Sequence, residues 1–139
     1  MTRLYTVSEA NRTLPYVRSI VGEIRERYEA IREKSRMLRT RPETAQADLR
    51  GEIKEQARRI EACMGELEAL GIELKDHRKG LVDFPAELEG RPIHLCWMHG
   101  EDAIAHWHEV HAGFAGRRPI PDDTPLWPRG TRDPSRSKR

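Results

Sequence analysis

The chain has 139 residues, which is about the length of one domain. Charged residues make up 35% of it and hydrophobic residues 37%, a composition that suits exposed helices joined to a small sheet. The formal net charge is only +2 at pH 7 and acids alternate with bases, which argues against a nucleic-acid-binding surface over the whole domain. The basic C-terminal segment RGTRDPSRSKR is interpreted as a solubilising end.

The first part of the chain predicts a long helix that begins near residue 6. Thr6-Val7-Ser8-Glu9 is a capping box, in which the Thr6 hydroxyl accepts from the Glu9 N–H and the Glu9 carboxylate reaches back. A kink or a short first turn is expected before Pro15, because proline lacks the backbone N–H. The helix should end at Arg41-Pro42, since a residue before proline avoids the helical region. A row of residues that recurs every three or four positions, which we call the seam, should form the buried side of this helix. It is apolar except for the small polar Ser35 and comprises Leu14, Val17, Val21, Ile24, Tyr28, Ile31, Ser35 and Leu38.

The second helix repeats this design and should end near Gly71, a residue suited to a left-handed C-terminal cap. Two matched seams joined by a short Pro-containing link predict an antiparallel hairpin over about 6–71, packed in the manner of a coiled coil. Ile24 and Ile60 are therefore expected to be buried between the helices. Leu74 falls beyond the end of the second seam, which comprises Leu49, Ile53, Gln56, Ile60, Cys63, Leu67 and Leu70.

After Gly71 the apolar period changes from seven to two, which predicts strands. Alternation on both sides of the turn Glu89-Gly90 predicts a β-hairpin. Residues 104–110 fit a strand or a short helix, and a strand is favoured because Gly113 closes the stretch. The fold class is therefore α+β. A long helical hairpin is followed by a three- or four-stranded antiparallel sheet over about 72–120, within one domain of residues 1–120.

Residues 121–139 predict an extended, Pro-rich and basic tail. Leu126-Trp127-Pro128 within it is an apolar anchor, which is expected to dock on its own domain or on a partner. Removing the anchor should lower the stability of the fold only if the anchor docks on its own domain.

The chain also carries features that bear on its compartment. Its first residues lack the apolar run of a signal peptide, and no segment approaches the roughly 20 apolar residues that span a bilayer. The two cysteines, Cys63 and Cys96, are too few for a disulfide framework. These features predict a cytoplasmic protein with reduced thiols and no membrane partner.

Several segments carry a resemblance to a known family. YTVSEANRTLPYV near the start, then GLVDFPA, GRPIHLCWMHGE, WHE and GFAGRRPI, resemble an uncharacterised prokaryotic family, domain-of-unknown-function family 2203. The resemblance covers nearly the whole chain up to about Ile120 and implies a fold and a region of interest, but no reaction. His94, His99, His106 and His111 fall outside the family's pattern. That pattern carries over to Phe84, Pro85, Gly90, Leu95, Trp97, Gly100, Glu101, Trp107, His108, Gly113, Phe114 and Arg117.

Half of the positions from 94 to 111 carry metal-ligating side chains. Imidazole, thiolate and carboxylate together suit a divalent transition metal such as zinc, although the spacing matches no known metal motif. His106 and His108, two apart on a strand, would lie on one face. The candidate metal ligands are His108, Glu101, Cys96 and His106.

The pairing of the strands around residues 93–110 decides which side chains meet. If Met98 lies opposite Ala103, His106 and His108 share the face of Leu95 and Trp97. If the loop between the two strands is one residue shorter or longer, Cys96 lies opposite His106, and the cysteine then shares one face with three histidines. The sequence leaves both registers open.

An anionic ligand is the other hypothesis for this region. Arg117 ends a glycine-rich loop and could fork onto a carboxylate or phosphate, with Glu101 and His108 as acid and base. These three residues are expected to converge on one pocket beside Trp97 or Trp107, so all five are candidate ligand-binding residues. The structural alternatives are an ion pair of Arg117 with Glu101 or Glu109, and core positions for both tryptophans.

The sequence therefore predicts a small soluble protein with a ligand or metal site on its C-terminal sheet. The alternative is a homodimeric interaction or adaptor module without catalysis that uses the helical hairpin, because sheet edges and helical seams both self-associate. Whether the chain is an enzyme stays open, since no segment supplies a nucleophile in a recognised setting.

Overall fold

The structure, a computed structural model, describes residues 3–121 and 125–129. Two helices are followed by an antiparallel sheet, which confirms the α+β class. The elements are α1 (Val7–Leu38), α2 (Glu43–Ala69), β1 (Glu73–Asp76), β2 (Leu81–Leu88), β3 (Arg91–Met98), β4 (His106–Glu109), a 3-10 turn (Phe114–Gly116) and β5 (Arg118–Pro119).

The helices form where the seams predict them. The capping box is present, with the Glu9 N–H donating to the Thr6 hydroxyl at 3.1 Å and the Thr6 N–H donating to the Glu9 carboxylate at 2.9 Å. α1 continues from Val7 through Pro15 to Leu38, so the expected short first turn is wrong, while the alternative of a kink before Pro15 stays a prediction. Ile24 and Ile60 are buried in the core, as predicted, and Gly71 just beyond α2 has the left-handed φ of 75°. Neither described helix has an apolar stretch of the length that a bilayer requires.

The sheet has five strands in chain order, β1-β2-β3-β4-β5, rather than the expected three or four. The additional strands are short, and β5 has only two residues, too few to show any periodicity. The turn between β2 and β3 is Glu89-Gly90, and both residues have positive φ, 51° and 80°, as a tight two-residue hairpin requires. This turn fixes the pairing of Asp83 with Cys96.

The β3–β4 register is the one that gathers the polar residues. Cys96 lies opposite His106, and His94 lies opposite His108. Leu95 and Trp107, which face each other one position along, point to the helices and are buried in the core. We call the other side of the sheet, which carries Asp83 and these polar residues, the outer face.

The apolar anchor of the C-terminal segment docks on its own domain. The Val7 N–H donates to the Trp127 carbonyl and the Ser8 N–H to the Pro125 carbonyl, each at 2.8 Å. These two N–H groups belong to the first turn of α1, where a helix offers no internal acceptor. The Trp127 ring is fully buried, 5.4 Å from the Trp107 ring centroid. The rest of the predicted tail, residues 122–124 and 130–139, lies outside the described residues.

Trp127→Ala is expected to lower the free energy of unfolding by about 3–5 kcal/mol, because it empties a buried site beside Trp107. Leu126→Ala is the matched control, since the Leu126 side chain is 62% exposed; its effect should stay within about 0.5 kcal/mol. Urea denaturation measures both. Equal midpoints for the two variants would contradict intramolecular docking of the anchor.

Candidate functional site

The outer face holds three buried polar side chains that lie close together. Asp83, Cys96 and His108 are 2%, 0% and 1% exposed. One ligand atom from each of them lies within 4.8 Å of the other two. We call these three residues the Asp83 cluster. They come from β2, β3 and β4 respectively, so the cluster depends on the pairing of all three strands.

Both ring nitrogens of His108 have hydrogen-bond partners. Nδ1 lies 2.7 Å from the backbone carbonyl of Glu109, which can only accept, so Nδ1 carries a proton. Nε2 lies 2.9 Å from Asp83 Oδ1. Burial alone would raise the pKa of Asp83, but contacts with His94 and His108 outweigh it and hold that pKa below its usual value. An imidazole nitrogen without a proton and a carboxylate oxygen are both acceptors, so the 2.9 Å hydrogen bond between Nε2 and Oδ1 needs one proton, which the two groups share.

His94 lies at the side of this cluster. Its Nδ1 is 3.3 Å from Asp83 Oδ2, without the angle of a hydrogen bond, and it has no hydrogen-bond partner within residues 3–121 and 125–129. The His94 ring stands nearly perpendicular to that of His108, with centroids 5.3 Å apart. A buried imidazole nitrogen thus lies close to the same carboxylate that His108 contacts.

Cys96 is a thiol in this environment. Burial and the charge of Asp83 raise its pKa to about 12, and the nearby Arg117 guanidinium only partly opposes them. The thiolate needs a further positive charge in order to form at neutral pH.

A second group, the Glu101 cluster, lies beside the first and consists of Glu101, His106 and Arg117. Arg117 Nη2 donates to Glu101 Oε1 at 2.7 Å, and the Met98 N–H donates to the same oxygen at 2.7 Å. His106 Nδ1 is 3.7 Å from Glu101 Oε2. Burial would raise the pKa of Glu101, but the hydrogen bonds from Arg117 and Met98 lower it below its usual value. The alternative of a structural ion pair for Arg117 is thus what the structure shows, with Glu101 as partner.

Cys96 links the two clusters. Its carbonyl accepts from Arg117 Nη2 at 3.4 Å, while its thiol belongs to the Asp83 cluster. Glu101 and His108, which the sequence was expected to bring into one pocket, contact different partners on this side of the sheet.

The two tryptophans lie on the opposite face from both clusters. Trp97 is 0% and Trp107 2% exposed, and both pack in the core between sheet and helices. Trp97 Nε1 donates to the Glu101 carbonyl at 2.9 Å, which ties the β3–β4 loop to the strand. Their rings therefore pack on the side of the sheet that faces the helices, and they do not line either cluster.

Sequence reasoning missed Asp83, and it set His94 aside. An acid between two apolar residues of an alternating strand usually faces solvent, so the alternation of this strand gives no sign that Asp83 is buried. The overlooked signal is the turn Glu89-Gly90. A two-residue turn there places residue 83 directly opposite Cys96.

Fold and site together define an α+β protein with a buried Asp–Cys–His cluster on its sheet. Comparison with protein families matches residues 3–120 to the family described as "Uncharacterized conserved protein (DUF2203)". The chain belongs to this family, as its sequence resemblance predicted. Searches of curated proteins and of solved structures returned no match. The family's description names no activity, so the function has to be argued from the site.

Asp83→Asn is expected to lower stability in a pH-dependent way. Because the pKa of Asp83 is lowered in the folded state, its ionised form stabilises the fold above about pH 3.9, the usual value for Asp. This contribution is lost as the pH falls through the folded-state pKa. Urea denaturation of both proteins between pH 7 and pH 3 should therefore give a difference in unfolding free energy that shrinks towards acid.

Asp102→Asn, at an exposed position of the β3–β4 loop, is the control and should show no such trend. Parallel stability curves for the wild type and Asp83→Asn would contradict the lowered pKa of Asp83 in the folded protein.

Proposed function

We propose that the protein binds a divalent transition metal, with zinc as the best match, through Asp83, Cys96 and His108. The three side chains offer oxygen, sulfur and nitrogen, a set that zinc accepts together. Their ligand atoms lie within 4.8 Å of one another and are shielded from water. Removal from water strengthens each metal–ligand interaction.

The geometry of His108 carries this proposal. A histidine that binds a metal through one nitrogen usually donates the N–H of the other to a carbonyl or carboxylate, which fixes the tautomer and the ring orientation. The Glu109 carbonyl accepts from His108 Nδ1 at 2.7 Å, and Nε2 points at Asp83. The ring is thus oriented for Nε2 to bind a metal together with the Asp83 carboxylate.

Charge balance supports the same site. In the metal-free protein the hydrogen bond between Nε2 and Asp83 holds one shared proton, so the pair carries no net charge, and Cys96 is a thiol. A divalent cation would replace this shared proton and the proton on Sγ, leaving one carboxylate and one thiolate to neutralise it. Both states of the buried cluster are then neutral, which avoids an uncompensated charge inside the protein.

His94 is the available fourth ligand. Its Nδ1 is buried, lies 3.3 Å from the Asp83 carboxylate and has no hydrogen-bond partner among the described residues. Glu101 is less suited because its carboxylate already accepts from Arg117 and Met98. His106 is less suited because its Nδ1, which also has no hydrogen-bond partner among the described residues, lies at the Glu101 carboxylate, 3.7 Å from Oε2. A shell of four protein ligands is typical of structural zinc. We therefore propose a structural metal that links β2, β3 and β4, and we propose no catalytic activity for this site.

A homodimeric module built on the helical hairpin is the alternative proposal, and it has less support. The seam residues Ile24 and Ile60 are used within one chain, in the core that the helices form with the sheet. Of the large apolar side chains exposed on the described part of the chain, Tyr16 and Met64 lie on the helices. Sedimentation at several protein concentrations tests this alternative independently of metal.

The metal proposal is tested by titrating zinc into chelator-treated protein that carries no His-tag, in buffers of different ionisation enthalpy. One equivalent should bind and about two protons should be released per metal near pH 7, because the metal displaces the proton shared by Nε2 and Asp83 and the proton on Sγ. His108→Ala, Cys96→Ser and Asp83→Asn should each weaken binding by about 100-fold or more.

His111→Ala removes an exposed histidine outside the Asp83 cluster and is the matched control, with unchanged affinity expected. A wild-type protein that binds no zinc would contradict the proposal. So would a His111→Ala variant that loses as much affinity as His108→Ala.

A further inference from the structure

The Asp83 cluster is buried although the helices pack on the opposite face of the sheet. Asp83, Cys96 and His108 point to the outer face, yet none is more than 2% exposed. Another part of the chain must therefore cover them. Among the described residues, the connection between β4 and β5, residues 110–117, reaches the cluster through Arg117, which donates to the Cys96 carbonyl, and we call it the cover segment.

Phe114 shows the path of the cover segment. It follows β4, but Lys79 Nζ in the β1–β2 turn lies 4.4 Å from its ring centroid. Because β2 and β3 separate β4 from that turn in the sheet, the cover segment has to cross the outer face to reach Lys79. The Arg117 guanidinium also lies over the Phe114 ring, 5.2 Å from its centroid. Phe114 is 38% exposed, so it forms the outer layer of the covering.

Arg117 attaches the end of the cover segment to β3. It donates to Glu101 at 2.7 Å and to the Cys96 carbonyl at 3.4 Å, and its side chain is only 12% exposed. Glu101 is itself fixed by the Met98 N–H. At Gly116 a Cβ would collide with the methyl group of Ala112, so the segment is folded tightly on itself. One ion pair thus joins a compact loop to the rigid strand beside the cluster.

We propose that the cover segment is a lid over the Asp83 cluster and that the Arg117–Glu101 ion pair holds this lid closed. A metal ion, or any reagent that attacks Cys96, then reaches the cluster only when the ion pair opens. This inference rests on the proposed metal site for its biological purpose, but its test does not require a metal.

The two cysteines provide the test, because one becomes accessible when the lid opens and the other when the helical hairpin opens. Cys96 lies under the lid, whereas Cys63 is buried in the core on α2 and is reached only when the hairpin opens. Metal-free protein is treated with N-ethylmaleimide under native conditions, and mass spectrometry of the peptides gives the labelling rate of each cysteine. Glu101→Gln should speed labelling of Cys96 by about tenfold, the ratio that about 1.4 kcal/mol gives, and leave Cys63 unchanged.

Arg91→Gln is the matched control. It breaks an ion pair of equal length in the same sheet, Arg91 with Glu109 at 2.7 Å, which is not part of the cover segment. Labelling of Cys96 should stay at the wild-type rate in this variant. Phe114→Ala is the second lid variant, since it removes the contact with Lys79 from a partly exposed position that folding should tolerate, and it should also speed labelling of Cys96.

Unchanged Cys96 labelling in both Glu101→Gln and Phe114→Ala would overturn the lid, as would an equal rise at Cys63, which would indicate global opening. These results can be read whether or not the protein binds zinc. A chain that binds no zinc but labels as expected would overturn the proposed function and support the lid alone.

Discussion

The buried interaction between His108 and Asp83 is the constraint on which the arrangement of the sheet depends. A carboxylate and an imidazole ring are costly to remove from water, and the cost is offset only when the geometry is good and the remaining polar atoms are satisfied. Here the Glu109 carbonyl accepts from the second ring nitrogen at 2.7 Å. A slip of β4 by one residue would turn His108 towards the apolar core and leave the Asp83 carboxylate buried without it. The pair therefore specifies the β3–β4 register as firmly as the apolar residues on the other face do.

Much of the fold could be predicted because local chemistry determines it. The capping box at Thr6 begins α1, the seams bury Ile24 and Ile60, and the positive φ values of Glu89 and Gly90 close the β2–β3 hairpin. The parts that could not be predicted depend on long-range contacts. β5 has two residues and exists because it pairs with β4. The helix passes Pro15 because packing of its buried face against the sheet outweighs the local preference for a break.

The candidate site was harder to predict, because periodicity alone does not determine it. Periodicity places a residue on a face of its own strand, but the facing residue depends on the length of the loop between strands. In the β3–β4 connection, Trp97 donates to the Glu101 carbonyl and Met98 to its carboxylate, and these contacts set the loop length. No local pattern encodes them. Arg117, by contrast, could be assigned to an ion pair from its residue type alone, although the choice of Glu101 over Glu109 needed the structure.

The central claim, a metal at the Asp83 cluster, implies a bond between the metal and the Cys96 sulfur, and cobalt makes this bond visible. Co²⁺ bound by a thiolate gives a sulfur-to-metal charge-transfer band in the near ultraviolet, which oxygen and nitrogen ligands alone do not give. Titration of the metal-free protein with Co²⁺ should produce this band, with saturation at one equivalent. Cys96→Ser should abolish it, and Cys63→Ser should retain it. A wild-type protein without the band, or a band that survives in Cys96→Ser, would contradict the account.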